Sequence, residues 1–226
     1  MNETLFLLHA LLVLSFGLFA LRMGKAMLTV WVALQAVLAN LFVIKQITFF
    51  QFHVTCSDVF AIGSLFGLNL LREYFGKEAA VRALWTCFFA MVFFVAMAQI
   101  HLLYLPSVYD TTHDAFVTTL SSSWRLLSAS IAVFFLVQKI DLHLFGLLKA
   151  KASTLSFGLR SAICIGSTQA LDTVLFSMLG LWGLVENLFD IILISFVIKL
   201  LILALMTPMI RFSKYFVKKE GSHDPL

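Results

Sequence analysis

Apolar runs of roughly 20 residues recur along the whole chain, and this constrains the fold more than any other feature. Seven can be marked, at roughly 4–21, 27–44, 46–71, 82–105, 124–139, 161–184 and 188–210. About 20 helical residues cross a hydrocarbon core of about 30 Å. A segment in lipid must also satisfy its own backbone hydrogen bonds, so stretches of this length become helices. Barrel strands would be shorter and would alternate in polarity. The chain is only 12% charged, about half the share usual in soluble domains, so a water-soluble fold is excluded. The expectation is an all-α integral membrane protein, a polytopic bundle of about seven transmembrane helices. It forms a single membrane domain over 1–226, with an extra N-terminal helix at 4–21, a six-helix core at 27–210 and a cytoplasmic tail at 211–226.

The first run is long for a signal peptide, lacks a basic leading region and is followed by no A-x-A site, so it reads as a retained helix. Lysine and arginine then set the orientation. With seven spans and the N-terminus outside, the inside segments are 22–26, 72–81, 140–160 and the tail after 210. These segments and their flanks hold every basic residue except Lys45, Arg125 and Lys199. The outside loop 106–123 holds none. The positive-inside rule therefore predicts an outside N-terminus and an inside C-terminus. The net charge of +4 reports this orientation, and no nucleic-acid partner is expected.

Chemistry-bearing patterns are sparse. Cys56, Cys87 and Cys164 show no CxxC spacing, no HExxH pair appears, and there is no GxxxxGK[ST] loop for a nucleotide. No metal, no cofactor and no enzyme nucleophile is expected. What remains is a set of polar residues at membrane depth. Asp172 sits near the middle of its run, where a charge costs about 2.5–3.5 kcal/mol even on lenient insertion scales. Lys199 lies near the middle of the last run, too deep to snorkel. The third run carries Asp58 and Asn69, with Glu73 just past its inner end, and Asn69 and Glu73 are four apart on one helix face. Asn40 adds an amide in the second run, and Gln169 precedes Asp172 by three residues. Lys45 and Arg125 lie near outer helix ends, where snorkelling explains them equally well. A polar cavity binding a small solute is the expectation, with a buried Asp172–Lys199 pair as the structural alternative. Carboxylates beside amides suit a ligand with adjacent N–H donors and a carbonyl.

Two further patterns bear on architecture. "CSDVFAIGSLFGL" in the third run is weakly similar to "ALDTVLFSMLGL" in the sixth, which would make spans 2–4 and 5–7 inverted triplets, a recurrent transporter design. "GSLFG", Gly63 to Gly67, has the GxxxG spacing of close helix packing and leaves a homo-oligomer open.

"LANLFVIK" (38–45), "LNLLREYFGKEAA" (68–80), "RLLSASIAVFFLVQKIDLHLF" (125–145), "LRSAICIGSTQALDTVLF" (159–176) and "KLLILALMTP" (199–208) occur in order. Together they resemble the queuosine precursor transporter family, a branch of the vitamin uptake transporters. The resemblance implies a six-helix core in the bacterial inner membrane and uptake of a 7-deazaguanine, namely preQ0, preQ1 or queuine. It also implies functional roles for Asn40, Glu73, Gly76, Arg125, Gln169, Asp172 and Lys199. The chain departs from the family at Asn69, where many members carry an Asp, and Asp58 is the candidate to replace that carboxylate. Two rivals stay open: the substrate-binding subunit of an ATP-driven vitamin importer, and a non-transporting structural membrane subunit.

Overall fold

The computed structural model describes residues 1–42, 45–49, 52–55, 57–121, 124–151, 155–182 and 188–216. Cys56, Lys218 and Lys219 lie outside them. In order, the elements are α1 (Asn2–Met23), α2 (Lys25–Leu41), β1 (Gln46–Phe49), β2 (Phe52–Thr55), α3 (Ser57–Phe75), α4 (Lys77–Leu102), α5 (His113–Leu120), α6 (Trp124–Lys151), α7 (Phe157–Phe176) and α8 (Leu188–Phe212). A π-helical stretch, Ser177–Leu181, continues α7, and a short 3₁₀ turn, Ser213–Tyr215, follows α8.

The apolar runs become long helices, with four corrections. The run at 46–71 is not one helix. It divides into a short antiparallel hairpin, with Gln46 opposite Thr55 and Phe49 opposite Phe52, and then α3; the long elements are all helical, as an all-α membrane protein requires. The run at 124–139 extends to Lys151, which turns most of the expected inside segment 140–160 into helix. The expected segments 22–26 and 72–81 shrink to single-residue joints at Gly24 and Gly76, with φ of +106° and +87°. A side chain is strained at such φ, so glycine ends one helix and starts the next. The expected outside loop 106–123 contains α5, preceded by a turn at Asp110. The backbone N–H and the hydroxyl of Thr112 donate to the Asp110 carboxylate at 2.7 and 2.8 Å and hold its pKa below the usual value.

End-to-end contacts show that the long helices alternate in direction. At one end Asn2 donates to the Thr48 carbonyl in the hairpin, Gln99 of α4 to Leu120 of α5, and Arg125 of α6 to carbonyls at the end of α7. At the other end, beside the two glycine joints, Glu73 of α3 pairs with Lys149 of α6 and Arg160 of α7. Tyr74 meets Ser213 just beyond α8 there. These ends are called the hairpin end and the glycine end below.

Among the described residues, four helical stretches are long and apolar enough to cross a membrane: Asn2–Met23, Lys77–Leu102, Ser128–Lys151 and Phe157–Leu181. α3 falls outside this group for a reason of position. Every residue from Ser57 to Arg72 except Ala61 is buried, and the helix touches α1, α2, α4, α6, α7 and α8. A helix surrounded by protein need not be apolar toward lipid, so it can carry Asp58, Asn69, Arg72 and Glu73. The expected interhelical role of "GSLFG" is met inside the chain. A Cβ on Gly63 would lie 2.8 Å from Val13, and one on Gly67 would overlap Val32 and stand 2.9 Å from Trp31. The small residues let α3 approach α1 and α2, so this motif gives no support to a dimer.

Candidate functional site

Where α3, α7 and α8 come together, three charged side chains converge. Lys199 donates to Asp172 Oδ2 at 2.5 Å and stands 3.5 Å from Asp58 Oδ1. Ser195, one turn before Lys199 on α8, donates to Asp58 Oδ2 at 3.3 Å. The side chains of Lys199, Asp58 and Asp172 are 4%, 12% and 20% exposed. Lys199 is eleven residues into α8, about 16 Å along its axis. The cluster holds two carboxylates for one ammonium, a formal charge of −1. The short charge-assisted bond to Asp172 is the stronger contact, and Asp58 is the looser partner.

The other predicted residues divide by position. Gln169 is buried on α7 one turn before Asp172, and its Oε1 has no donor among the described residues. Asn40, buried near the hairpin end of α2, donates to the Ala36 carbonyl at 3.0 Å. Its Oδ1 likewise lacks a donor among the described residues. Arg125 is exposed at the hairpin end and donates to the carbonyls of Leu179 and Trp182 at 3.0 and 2.7 Å. There it satisfies the open end of the π-helical stretch, away from the charged cluster.

Asn69 and Glu73 do not share a wall with Asp172. They lie about 16 and 22 Å further along α3 than Asp58, at 1.5 Å rise per residue. Asn69 donates to Ser161 at 3.2 Å, and Glu73 is held by Lys149 at 3.1 Å and Arg160 at 3.3 Å. The single expected cavity is therefore two stations at different depths. The two similar motifs also fail to coincide: Asp58 opens α3, whereas Asp172 lies one turn before the end of α7.

Between the stations runs a buried polar track not anticipated from the sequence. Asp141 of α6, wholly buried, accepts from Cys164 at 3.0 Å and from Thr168 at 3.2 Å. Gln138 of α6 donates to Ser64 of α3 at 3.3 Å. Asp141 had fallen in an expected inside loop, which hid its burial. A sequence signal did exist on α7. Ser161, Cys164, Thr168 and Asp172 recur at three- and four-residue spacing and so form one helix face. That face contacts α3 through Asn69, α6 through Asp141 and α8 through Lys199.

These polar groups come from α3, α6, α7 and α8, and the side-chain oxygens of Asn69, Gln138, Asp141 and Gln169 include acceptors unused among the described residues. Residues 55–213 match a family model described as "Putative vitamin uptake transporter". The chain is 26% identical over 179 residues, 79% of this chain and 77% of the relative, to a Bacillus subtilis (strain 168) protein named "Probable queuosine precursor transporter". No solved structure matches. With its apolar helices, the chain is a multi-pass protein of the bacterial inner membrane, a transporter and not an enzyme. It belongs to the vitamin uptake transporter family.

Proposed function

We propose that this transporter imports a queuosine precursor, a 7-deazaguanine base such as preQ0, preQ1 or queuine, and binds it at the Asp58–Lys199–Asp172 cluster. In this reading the long helices cross the membrane seven times as one membrane unit. The hairpin end faces outward and the glycine end, with its basic residues, faces inward. Two observations support the substrate: the name of the Bacillus relative, and the match between the cluster and a guanine-like edge. A carboxylate accepts two parallel hydrogen bonds, here from the ring N–H and the exocyclic amine. Asp172 with Gln169 takes these donors, while Lys199 turns from Asp172 to the ligand carbonyl. Asp58 keeps Lys199 charged while Asp172 is engaged. Asn40 supports the site from the hairpin end, and the polar track toward Asn69 and Glu73 carries the solute inward.

The observation that carries this reading is the meeting of Asp58, Asp172 and Lys199 from three helices, with Asp58 on α3 and the other two on the α7–α8 pair. Rocking of the α6–α8 group against the α2–α4 group would open the site to either side in turn. The test is uptake of labelled preQ0, preQ1 and queuine by a host that cannot make or import them, read as queuosine in tRNA. Expression of this chain should restore incorporation from at least one base, and Asp172→Asn should abolish it. Restored incorporation that survives Asp172→Asn would remove the cluster from the substrate site. No restoration with any base, in a host where the protein is folded and in the membrane, would remove the substrate class.

A further inference from the structure

The charged cluster leaves unexplained a cavity of about 350 Å³ at the glycine end, lined by Arg72, Gly76, Lys77, Gly146, Lys149 and Ala150. Its charged lining residues are all cationic. Arg72 is only 8% exposed, yet among the described residues no carboxylate lies within ion-pair distance of it. Its Nη1 is buried without a hydrogen-bond partner among the described residues, and the guanidinium lies over the face of Phe145, 5.8 Å from the ring centre. Of the nearby carboxylates, Asp141 acts on Arg72 only through its charge, from beyond ion-pair distance, and accepts from Cys164 and Thr168. Glu73 and Glu78 pair with other bases, Glu73 with Lys149 and Arg160 and Glu78 with Arg82. Gly146 makes the arrangement possible, because a Cβ there would overlap the Arg72 guanidinium. The α3–α4 joint at Gly76 closes the other side without a side chain. The fold thus places a buried guanidinium and two lysines around this space, with no acidic residue among the described residues that line it.

We propose that this cavity is a binding site for a phosphate-bearing anion, held by Arg72 and Lys77 with Lys149 at its rim. A guanidinium fork matches phosphate oxygens in pairs, and lysines supply point charge. Basic pockets between membrane helices at the cytoplasmic surface take phospholipid headgroups, and the same chemistry takes a free phosphate. The inward placement rests on the orientation proposed above, but the anion chemistry does not.

The test uses the full chain purified in detergent, followed by thermal unfolding. One arm adds inorganic phosphate against chloride at matched ionic strength. A second adds phosphatidylglycerol against phosphatidylcholine in mixed micelles. Saturable stabilisation in the first arm identifies a free anion, and stabilisation in the second arm alone identifies a lipid headgroup. Lys77→Gln, at an exposed position where folding is safe, should weaken the apparent affinity by about tenfold, as loss of one charged hydrogen bond would. Lys25→Gln, at the other glycine joint, should leave it unchanged. Absence of stabilisation in both arms would overturn the proposal, as would wild-type affinity in both Lys77→Gln and Arg72→Gln.

Discussion

Replacement of Lys199 by methionine tests the charge arithmetic of the cluster most directly. Lys199 stands 2.5 Å from Asp172 and 3.5 Å from Asp58. At an effective dielectric of about 20, these contacts are worth roughly 7 and 5 kcal/mol of raw Coulomb attraction before desolvation is counted. Removing the ammonium leaves two uncompensated carboxylates at the meeting of three helices, and breaking a buried pair in this way costs about 3–5 kcal/mol. Asp172→Asn is milder, because Lys199 keeps Asp58 and the cluster becomes neutral. The double variant Lys199→Met with Asp172→Asn leaves one unpaired carboxylate and falls between the two. Thermal unfolding in detergent should therefore rank Asp172→Asn above the double variant, and the double variant above Lys199→Met. Uptake should be lost in all three. Equal melting temperatures for Lys199→Met and wild type would refute the claim that the ammonium offsets two buried charges. Normal uptake by a stable double variant would reduce the cluster to a structural fastening.

Two further outcomes follow from packing and capping. Gly67→Ala places a methyl against Val32 and Trp31, an overpacking that costs about 1–3 kcal/mol; a lowered melting temperature checks it, and an unchanged one would mean that α2 and α3 can separate freely. Arg125→Ala removes two donors from the carbonyls of Leu179 and Trp182, so amide hydrogen exchange should quicken across 177–182, while the melting temperature moves less than in Lys199→Met.

Asp172 and Lys199 were legible as a pair because each is a charge stranded inside an apolar run, and no solvent is near enough to pay for either. Asp58 was legible only as a membrane-depth carboxylate in an oversized run. Its pairing with Lys199 depends on α3 and α8 lying side by side, which no local pattern encodes. Asp141 and Arg72 fall within segments, 140–160 and 72–81, that read as inside loops, whereas α6 continues to Lys151 and a single glycine joins α3 to α4. Glu73 shares its chemistry with the other carboxylates but not their depth. In three dimensions, about 22 Å of helix separates it from Asp58.

The sequence by itself determined that this chain enters a membrane, that helices do the crossing, and which charges must find partners there. Those conclusions follow from the cost of exposing backbone and charge to hydrocarbon, a cost that depends on composition and length alone. Only the tertiary structure decided which helix is surrounded by protein and which partner each charge meets. It also turned one cavity into a track with a charged cluster at one station and basic residues at the other. Such pairings are set by how helices far apart in the chain pack against one another, and the small residues at Gly63, Gly67 and Gly146 govern that approach from positions that carry no charge at all.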